Sequence, residues 1–329
     1  MLLAGIILCR GEAIPQGVVT SRYARELQHA EKLLSVGDFQ GVVDTLLPWP
    51  GKMPERPEAD HFLGLAYYRL KDFPAAIRHL SAALRKESEG SEAWRQTVEV
   101  LGAAYYFHNQ WKDAVPLLEK ASAWQAGNSD LLYSLAMSYL FMRDAARARE
   151  TFAKVFGIEA DSPEAYLLAA DLMRKESLES DAEALVIEAR QRWPESSGVA
   201  LRAGVAAAAR GEHAHAAALF REELGRHPRE PATWHALAEA LVALGQTEEA
   251  SESLKRAIWL DAGWVPSYIL LSRIYMDAGR YDVAEDTLKQ ALKVVPQSYE
   301  ASFLLGRLYH KTGRPGLARE TLAAAELLR

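Results

Sequence analysis

The chain has 329 residues, of which 49% are hydrophobic and 25% charged, a composition that supports a large core and excludes a disordered polypeptide. Its 38 basic residues are outnumbered by 44 acidic ones, for a net charge of −6, which argues against a general nucleic-acid-binding protein, because such a protein needs a basic face. A single cysteine, Cys9, excludes an intrachain disulfide framework and any zinc or iron–sulfur site built from several cysteines.

The first 22 residues lie outside the pattern described below and are predicted to be an apolar N-terminal tail. Residues 1–9 read MLLAGIILC, which is too short for a membrane span of about 20 residues, so no transmembrane span is predicted. The run resembles the apolar part of a secretory signal, with a small-x-small cleavage site at residues 11–13. No basic residue precedes it, which a misassigned start codon would explain. A signal would make the protein periplasmic or secreted; an uncleaved tail would leave it cytoplasmic, and both interpretations remain open.

From Tyr23 onward the sequence repeats itself with a period of 34 residues. Residues 23–329 are therefore predicted to form nine units, which begin at residues 23, 57, 95, 129, 163, 197, 231, 265 and 299. Only the second unit departs from this period, because it carries a four-residue insertion around residues 86–90.

Particular columns of the repeat carry one kind of side chain. Column 8 holds only Gly, Ala or Ser, column 20 holds Ala in eight of nine units, and column 24 is always apolar. Columns 4, 7, 8 and 11 share one helical face and columns 20, 24 and 27 another, so each unit is predicted to be two amphipathic helices in close contact. Column 15, between them, has a glycine in five units, where a positive φ ends the first helix: Gly37, Gly211, Gly245, Gly279 and Gly313.

These residues resemble the tetratricopeptide repeat (TPR) family over residues 23–329. The family pattern is fitted closely by Leu101-Gly102-x-x-Tyr105, followed by Ala114 and Leu118, and also by Leu305-Gly306-x-x-Tyr309 with Ala318. The resemblance implies an all-α protein, a right-handed α-solenoid superhelix of nine helix-turn-helix TPR units. It also implies that first helices line the concave face and second helices form the convex face.

The C-terminal end departs from what many members of that family show, because they close the last repeat with an extra polar-faced helix. Here the sequence ends at Arg329 without one, so the apolar side of the last helix, with Leu322 and Ala325, is expected to be partly exposed. A homodimer through this uncapped C-terminal helix and a modest exposed patch both remain open.

No constellation of catalytic or metal-binding residues stands out. Phosphate-binding glycine loops, the HExxH zinc motif and the GxSxG nucleophile motif are all absent. His213 and His215 are two residues apart, so they point to different sides of a helix and serve a metal poorly. We therefore predict no catalytic residues, no metal site, no cofactor and no enzymatic activity.

The resemblance places columns 2, 5, 9, 12 and 13 of the first helices in the concave groove. In units two to four these columns supply a predicted partner-binding strip of aromatic residues and one methionine, which are side chains that peptide-binding surfaces use: Tyr68, Tyr106, Tyr133, Met137 and Phe141. Tyr133, Met137 and Phe141 recur every four residues along one face of a helix. The alternative is that these residues only pack between adjacent first helices.

Arg273 and Arg307 occupy the same column in the last two units and are therefore expected to be neighbours. Together they would suit an acidic side chain or a C-terminal carboxylate; a solvated basic face is the alternative. The Lys and Asn pattern with which some TPR proteins clamp the C-termini of chaperones is absent from every three consecutive units, which disfavours such an adaptor.

The sequence thus predicts a non-enzymatic protein–protein interaction scaffold that binds a peptide segment of a protein partner in its concave groove, with no nucleic-acid partner. The alternative is a structural or assembly component of a cell-envelope complex, which oligomerises through its ends or its convex face.

Overall fold

The computed structural model describes residues 22–50 and 56–329, and in these residues it contains 18 α-helices and no strand. In chain order the helices are α1 (Arg22–Val36), α2 (Phe39–Leu46), α3 (Glu58–Arg69), α4 (Phe73–Leu84), α5 (Glu92–Phe107), α6 (Trp111–Trp124), α7 (Ser129–Phe141), α8 (Ala145–Phe156), α9 (Pro163–Lys175), α10 (Glu179–Arg192), α11 (Val199–Ala209), α12 (His213–Arg226), α13 (Pro231–Ala243), α14 (Thr247–Leu260), α15 (Val265–Asp277), α16 (Tyr281–Val294), α17 (Tyr299–Lys311) and α18 (Pro315–Glu326). The all-α prediction is confirmed. The predicted signal segment, with Cys9, lies outside the described residues.

The odd-numbered helices are the first helices of the repeats, and each begins within three residues of a predicted unit start. Their N-termini follow from the local sequence. Pro163 opens α9 after the capping residue Ser162, whose hydroxyl accepts a hydrogen bond from the Ala165 N–H at 3.2 Å. Asp72 caps α4 in the same way, through the Ala75 N–H.

The described residues divide into two compact units, which we call the N-terminal unit (to Asp181) and the C-terminal unit (from Ala182). In both units first helices pack on the second helices that follow them, as in α3·α4 and α13·α14, and on neighbouring first helices, as in α3·α5 and α13·α15. Among the described residues, no two even-numbered helices of the same compact unit pack on one another to the same extent. The first helices therefore form the more closely spaced layer within each unit.

Small residues at column 8 let the two helices of a repeat approach closely. A Cβ placed on Gly306 would lie 2.6 Å from Leu322 Cγ, and one on Gly102 would lie 3.1 Å from Leu118 Cδ2. In both pairs a column 8 residue contacts a column 24 residue of the same repeat. The predicted close contact is thus present, and it explains why no larger side chain occupies column 8.

All nine residues at column 15 have a positive φ, although only five of them are glycine. The other four are Lys71 (64°), Asn109 (60°), Arg143 (61°) and Ser177 (59°). A left-handed conformation is unfavourable for most residues with a Cβ, so the turns at Lys71, Arg143 and Ser177 carry backbone strain that the glycine turns avoid. Asn109 carries less strain, because asparagine tolerates this conformation. All four lie in the N-terminal unit.

The four-residue insertion supports a buried polar network between α3 and α5. Lys86 Nζ donates to Asp60 Oδ2 at 3.1 Å, and Glu87 Oε1 accepts from Thr97 Oγ1 at 3.0 Å. Asp60 also accepts from His79 Nδ1 at 2.9 Å. Burial raises the pKa of Asp60, but the hydrogen bonds from His79 and Lys86 outweigh it and hold this pKa below its ordinary value.

At the last helix the expected exposure is found in part. Leu322 is half-buried, whereas Ala325 is only 1% exposed. Ala325 therefore departs from the expectation, because its short side chain faces the interior of the last repeat. Leu317 and Leu327 are the more exposed apolar residues of this segment, at 45% and 88%.

Candidate partner-binding faces

The predicted strip residues of the N-terminal unit differ in how much surface they offer. Tyr133 is 37% exposed, and Tyr68, Tyr106 and Phe141 are half-buried. Met137 is only 4% exposed. The sequence placed Met137 in the open strip, but the side chain is packed into the core around α7, so the structure departs from the prediction at this residue.

Tyr106, Tyr133 and Glu176 come from three successive first-helix segments and lie close together. Burial raises the pKa of the Tyr106 hydroxyl, and the nearby Tyr133 hydroxyl and Glu176 carboxylate raise it further. Tyr133 also meets the buried ring of Phe152, with ring centroids 5.8 Å apart in an edge-on arrangement. The Tyr133 side chain is therefore supported on one side and exposed on the other.

Tyr68 lies beside two carboxylates of neighbouring first helices. The pKa of the Tyr68 hydroxyl is raised to about 12. Burial is the largest cause, the negative charges of Glu99 and Asp130 add to the increase, and the positive charge of Arg69 opposes it. Glu99 accepts a hydrogen bond from Gln125 Nε2 at 2.7 Å. We name the surface formed by Tyr68, Glu99, Tyr106, Phe107, Asp130, Tyr133 and Glu176 the aromatic–acidic face.

An aromatic side chain at column 17 of one repeat stacks under the column 13 residue of the next, a contact that sequence reasoning missed. The ring centroids are 5.3 Å apart in the first such pair and 4.5 Å in the second, with interplanar angles of 15° and 18°. In two further pairs the column 13 residue is an arginine or a lysine instead of an aromatic residue, and its cationic group lies 4.7 or 5.2 Å from the centroid of the column 17 ring. The four pairs are Phe73–Phe107, Trp111–Phe141, Phe39–Arg69 and Tyr281–Lys311.

This stacking defines what Phe107 and Phe141 do. One side of each ring is covered by an aromatic residue of the preceding repeat, Phe73 or Trp111. These stacked pairs are contacts between adjacent repeats. Phe107 is nevertheless 43% exposed, and its centroid lies 5.1 Å from that of Tyr106. Phe107 therefore belongs to the accessible surface as well as to the contact between repeats. The recurrence of aromatic residues at column 17 was the sequence signal that could have revealed this contact.

In the C-terminal unit, Arg273 and Arg307 are both exposed on first helices. Within the described residues neither forms an ion pair, and the Arg307 guanidinium lies 6.0 Å from the ring centroid of Phe303. By contrast, Arg314 Nη2 is 2.7 Å from Glu285 Oε2, and Arg314 together with Lys289 holds the pKa of Glu285 down to about 2. The guanidinium groups of Arg273 and Arg307 thus have no carboxylate partner among the described residues.

The described part of the chain contains no group of three or more His, Cys, Asp or Glu residues that could hold a metal ion. His215 contacts Glu212 instead, with Nδ1 3.3 Å from Oε2. Of the helices in the described ranges, none is both long and apolar enough to cross a membrane.

Two family models, each described as tetratricopeptide repeat, match most of the sequence. One matches residues 63–101, 180–231 and 269–327, and the other matches residues 108–172 and 207–274. Together they cover more than half of the chain.

Three solved structures illustrate the similarity to known proteins. They are a crystal structure of MamA (18% identity, 48% of this chain, 93% of that chain, TM-score 0.44), TTC0263, a thermophilic TPR protein of Thermus thermophilus (23%, 50%, 90%, 0.43), and the ArsTM double mutant of MamA RS-1 (15%, 51%, 94%, 0.46). No curated protein matches the chain.

Proposed function

Because the chain belongs to the tetratricopeptide repeat family, whose members generally serve as non-enzymatic protein-interaction scaffolds, we propose that it binds a segment of a protein partner along its first helices and catalyses no reaction. The observation that carries this proposal is the aromatic–acidic face. Its rings are supported on one side, Tyr133 by Phe152 of its own repeat and Phe107 by Phe73 of the preceding one. On the other side they are exposed, with 37% of Tyr133 and 43% of Phe107 accessible. Rigid aromatic side chains of this kind are typical anchors in protein interfaces.

The proposal is tested by placing a photo-crosslinking amino acid at single positions. Residue 133 lies on the aromatic–acidic face, whereas Trp259, 71% exposed, lies on the second helix α14 and serves as the control position. In extracts of the native host, a partner adduct is expected from position 133 and not from position 259. Equal adducts from both positions would contradict binding along the first helices.

A second candidate function is assembly through the chain end or the second helices. The observations that favour it are the exposed Leu317 and Leu327 near α18 and the exposed Trp259, one side of which lies 4.4 Å from the Arg256 guanidinium. In this case the protein would self-associate, and Leu317→Lys would abolish the association in sedimentation velocity. A monomer at all concentrations would refute it.

A further inference from the structure

Three carboxylates of the aromatic–acidic face form no ion pair with any described residue: Glu99, Asp130 and Glu176. Other acidic residues of the N-terminal unit do have arginine partners. Arg174 Nη1 is 3.3 Å from Asp171 Oδ1, and Arg143 Nη1 is 2.5 Å from Asp181 Oδ2. The negative charge of the aromatic–acidic face therefore remains without a counter-charge, while the charges beside it are neutralised.

Two of the three carboxylates are also withdrawn from water. Glu99 and Asp130 are half-buried, and Glu176 is exposed. Glu99 recovers part of its lost hydration through the hydrogen bond from Gln125 Nε2 at 2.7 Å, but a partly buried carboxylate without a cation is still incompletely compensated. A cation brought by a partner would recover this loss, so the face favours a positively charged ligand over a neutral one.

The rings among these carboxylates favour the same kind of ligand. The exposed faces of Tyr133 and Phe107, together with Tyr106, offer the electron-rich surface on which a guanidinium or an ammonium group packs. The chain itself uses this geometry nearby, where the Arg69 guanidinium lies 4.7 Å from the centroid of the Phe39 ring. Two cations are near this face: Lys175 is adjacent in sequence to Glu176, and Arg69, which packs on Phe39, opposes the increase in the pKa of Tyr68. Neither forms an ion pair with the three carboxylates.

We propose that the aromatic–acidic face binds a basic, apolar peptide segment, whose Lys or Arg side chains lie between Glu99, Asp130 and Glu176 and whose apolar side chains pack on Tyr106, Phe107 and Tyr133. This inference rests on the proposed function and specifies the partner's chemistry for this face. It differs from the acidic partner that Arg273 and Arg307 suggest for the C-terminal unit. Charge complementarity of this kind acts mainly on association rate and specificity.

The test uses three fluorescent 12-residue peptides of one apolar pattern, in which the alternate positions are Lys, Gln or Glu, and the full chain as receptor. Anisotropy should show the Lys peptide binding at least tenfold more tightly than the Gln peptide, with no binding of the Glu peptide. The affinity for the Lys peptide should fall as salt rises, because exposed charges are screened.

Matched triple variants separate this face from the overall negative charge. Glu99→Gln, Asp130→Asn and Glu176→Gln together should weaken the Lys peptide about tenfold. The control Asp113→Asn, Glu150→Gln and Glu159→Gln removes the same charge from exposed positions elsewhere in the N-terminal unit and should change the affinity by less than twofold. Equal effects of both triple variants would overturn the inference.

The outcomes also separate this inference from the proposed function. If the Gln or Glu peptide binds tightly and Tyr133→Ser abolishes this binding, the preference for a basic peptide is overturned but the proposed function stands. Binding that Tyr133→Ser leaves unchanged would contradict both. Failure of all three peptides to bind, or occupation of the face by a second copy of the chain in sedimentation experiments, would overturn the inference as well.

Discussion

Replacing Asp60 by Asn should destabilise the N-terminal unit by about 3 kcal/mol, the low end of the cost of breaking a buried ion pair. The Asp60 side chain is 5% exposed and accepts from His79 Nδ1 at 2.9 Å and Lys86 Nζ at 3.1 Å. The cost lies at the low end of this range because the Lys86 side chain remains 27% exposed, so water partly solvates its charge. Asparagine preserves the volume but removes the negative charge that both partners face.

The pH dependence of this effect has a defined sign. The pKa of Asp60 is lower in the folded protein than its ordinary value of 3.8, so its charge stabilises the fold above that value. This stabilisation is lost as the pH falls through the lower pKa of the folded state. The difference between wild type and Asp60→Asn should therefore be full at pH 7 and shrink below about pH 4.

Urea unfolding followed by circular dichroism measures the free energy of unfolding for both proteins. Glu89→Gln is the control, because Glu89 lies in the same insertion and its ion pair with Lys120, at 3.4 Å, is exposed, with 78% of the glutamate side chain accessible. That change should cost less than about 0.5 kcal/mol. A loss below about 1 kcal/mol for Asp60→Asn, or a difference that grows in acid, would refute the account of the network.

Three further predictions concern packing, turns and charge. Gly64→Ala should cost about 2 kcal/mol by thermal unfolding, since its Cβ would lie 3.1 Å from the Leu80 backbone nitrogen in a filled core; an unchanged melting temperature would contradict the close contact. Ser177→Gly should stabilise the protein by about 0.5 kcal/mol, because relief of a left-handed serine exceeds the entropy cost of glycine, and a loss of stability would argue against strain in that turn. Arg307→Glu should slow association of an acidic partner and reduce its salt dependence in stopped-flow measurements, whereas an effect on dissociation alone would count against a steering role.

The regular part of the fold was predictable because its causes repeat. Small residues at column 8, alanine at column 20 and glycine at column 15 recur with the same spacing, so each prediction is supported by several repeats. The same regularity located the exposed Tyr133 and Arg307, which occupy outward columns of first helices.

What the sequence did not reveal depends on contacts that the columns do not encode. Met137 is buried because α7 is apolar on nearly every side, so periodicity could not separate its core face from its open face. Lys86 and Glu87 lie in the insertion, which has no equivalent in other repeats, and their partners Asp60 and Thr97 are known only from the three-dimensional structure.

The central claim, that a partner binds along the first helices of the N-terminal unit, is tested most directly by the affinity of the Tyr133→Ser variant for the crosslinked partner. Calorimetry should show a loss of at least about 2 kcal/mol, as expected for an aromatic hot spot, which is about thirtyfold in Kd. The circular dichroism spectrum should be unchanged, and Trp259→Ser should bind like the wild type. An unchanged Kd for a folded Tyr133→Ser protein would contradict the claim.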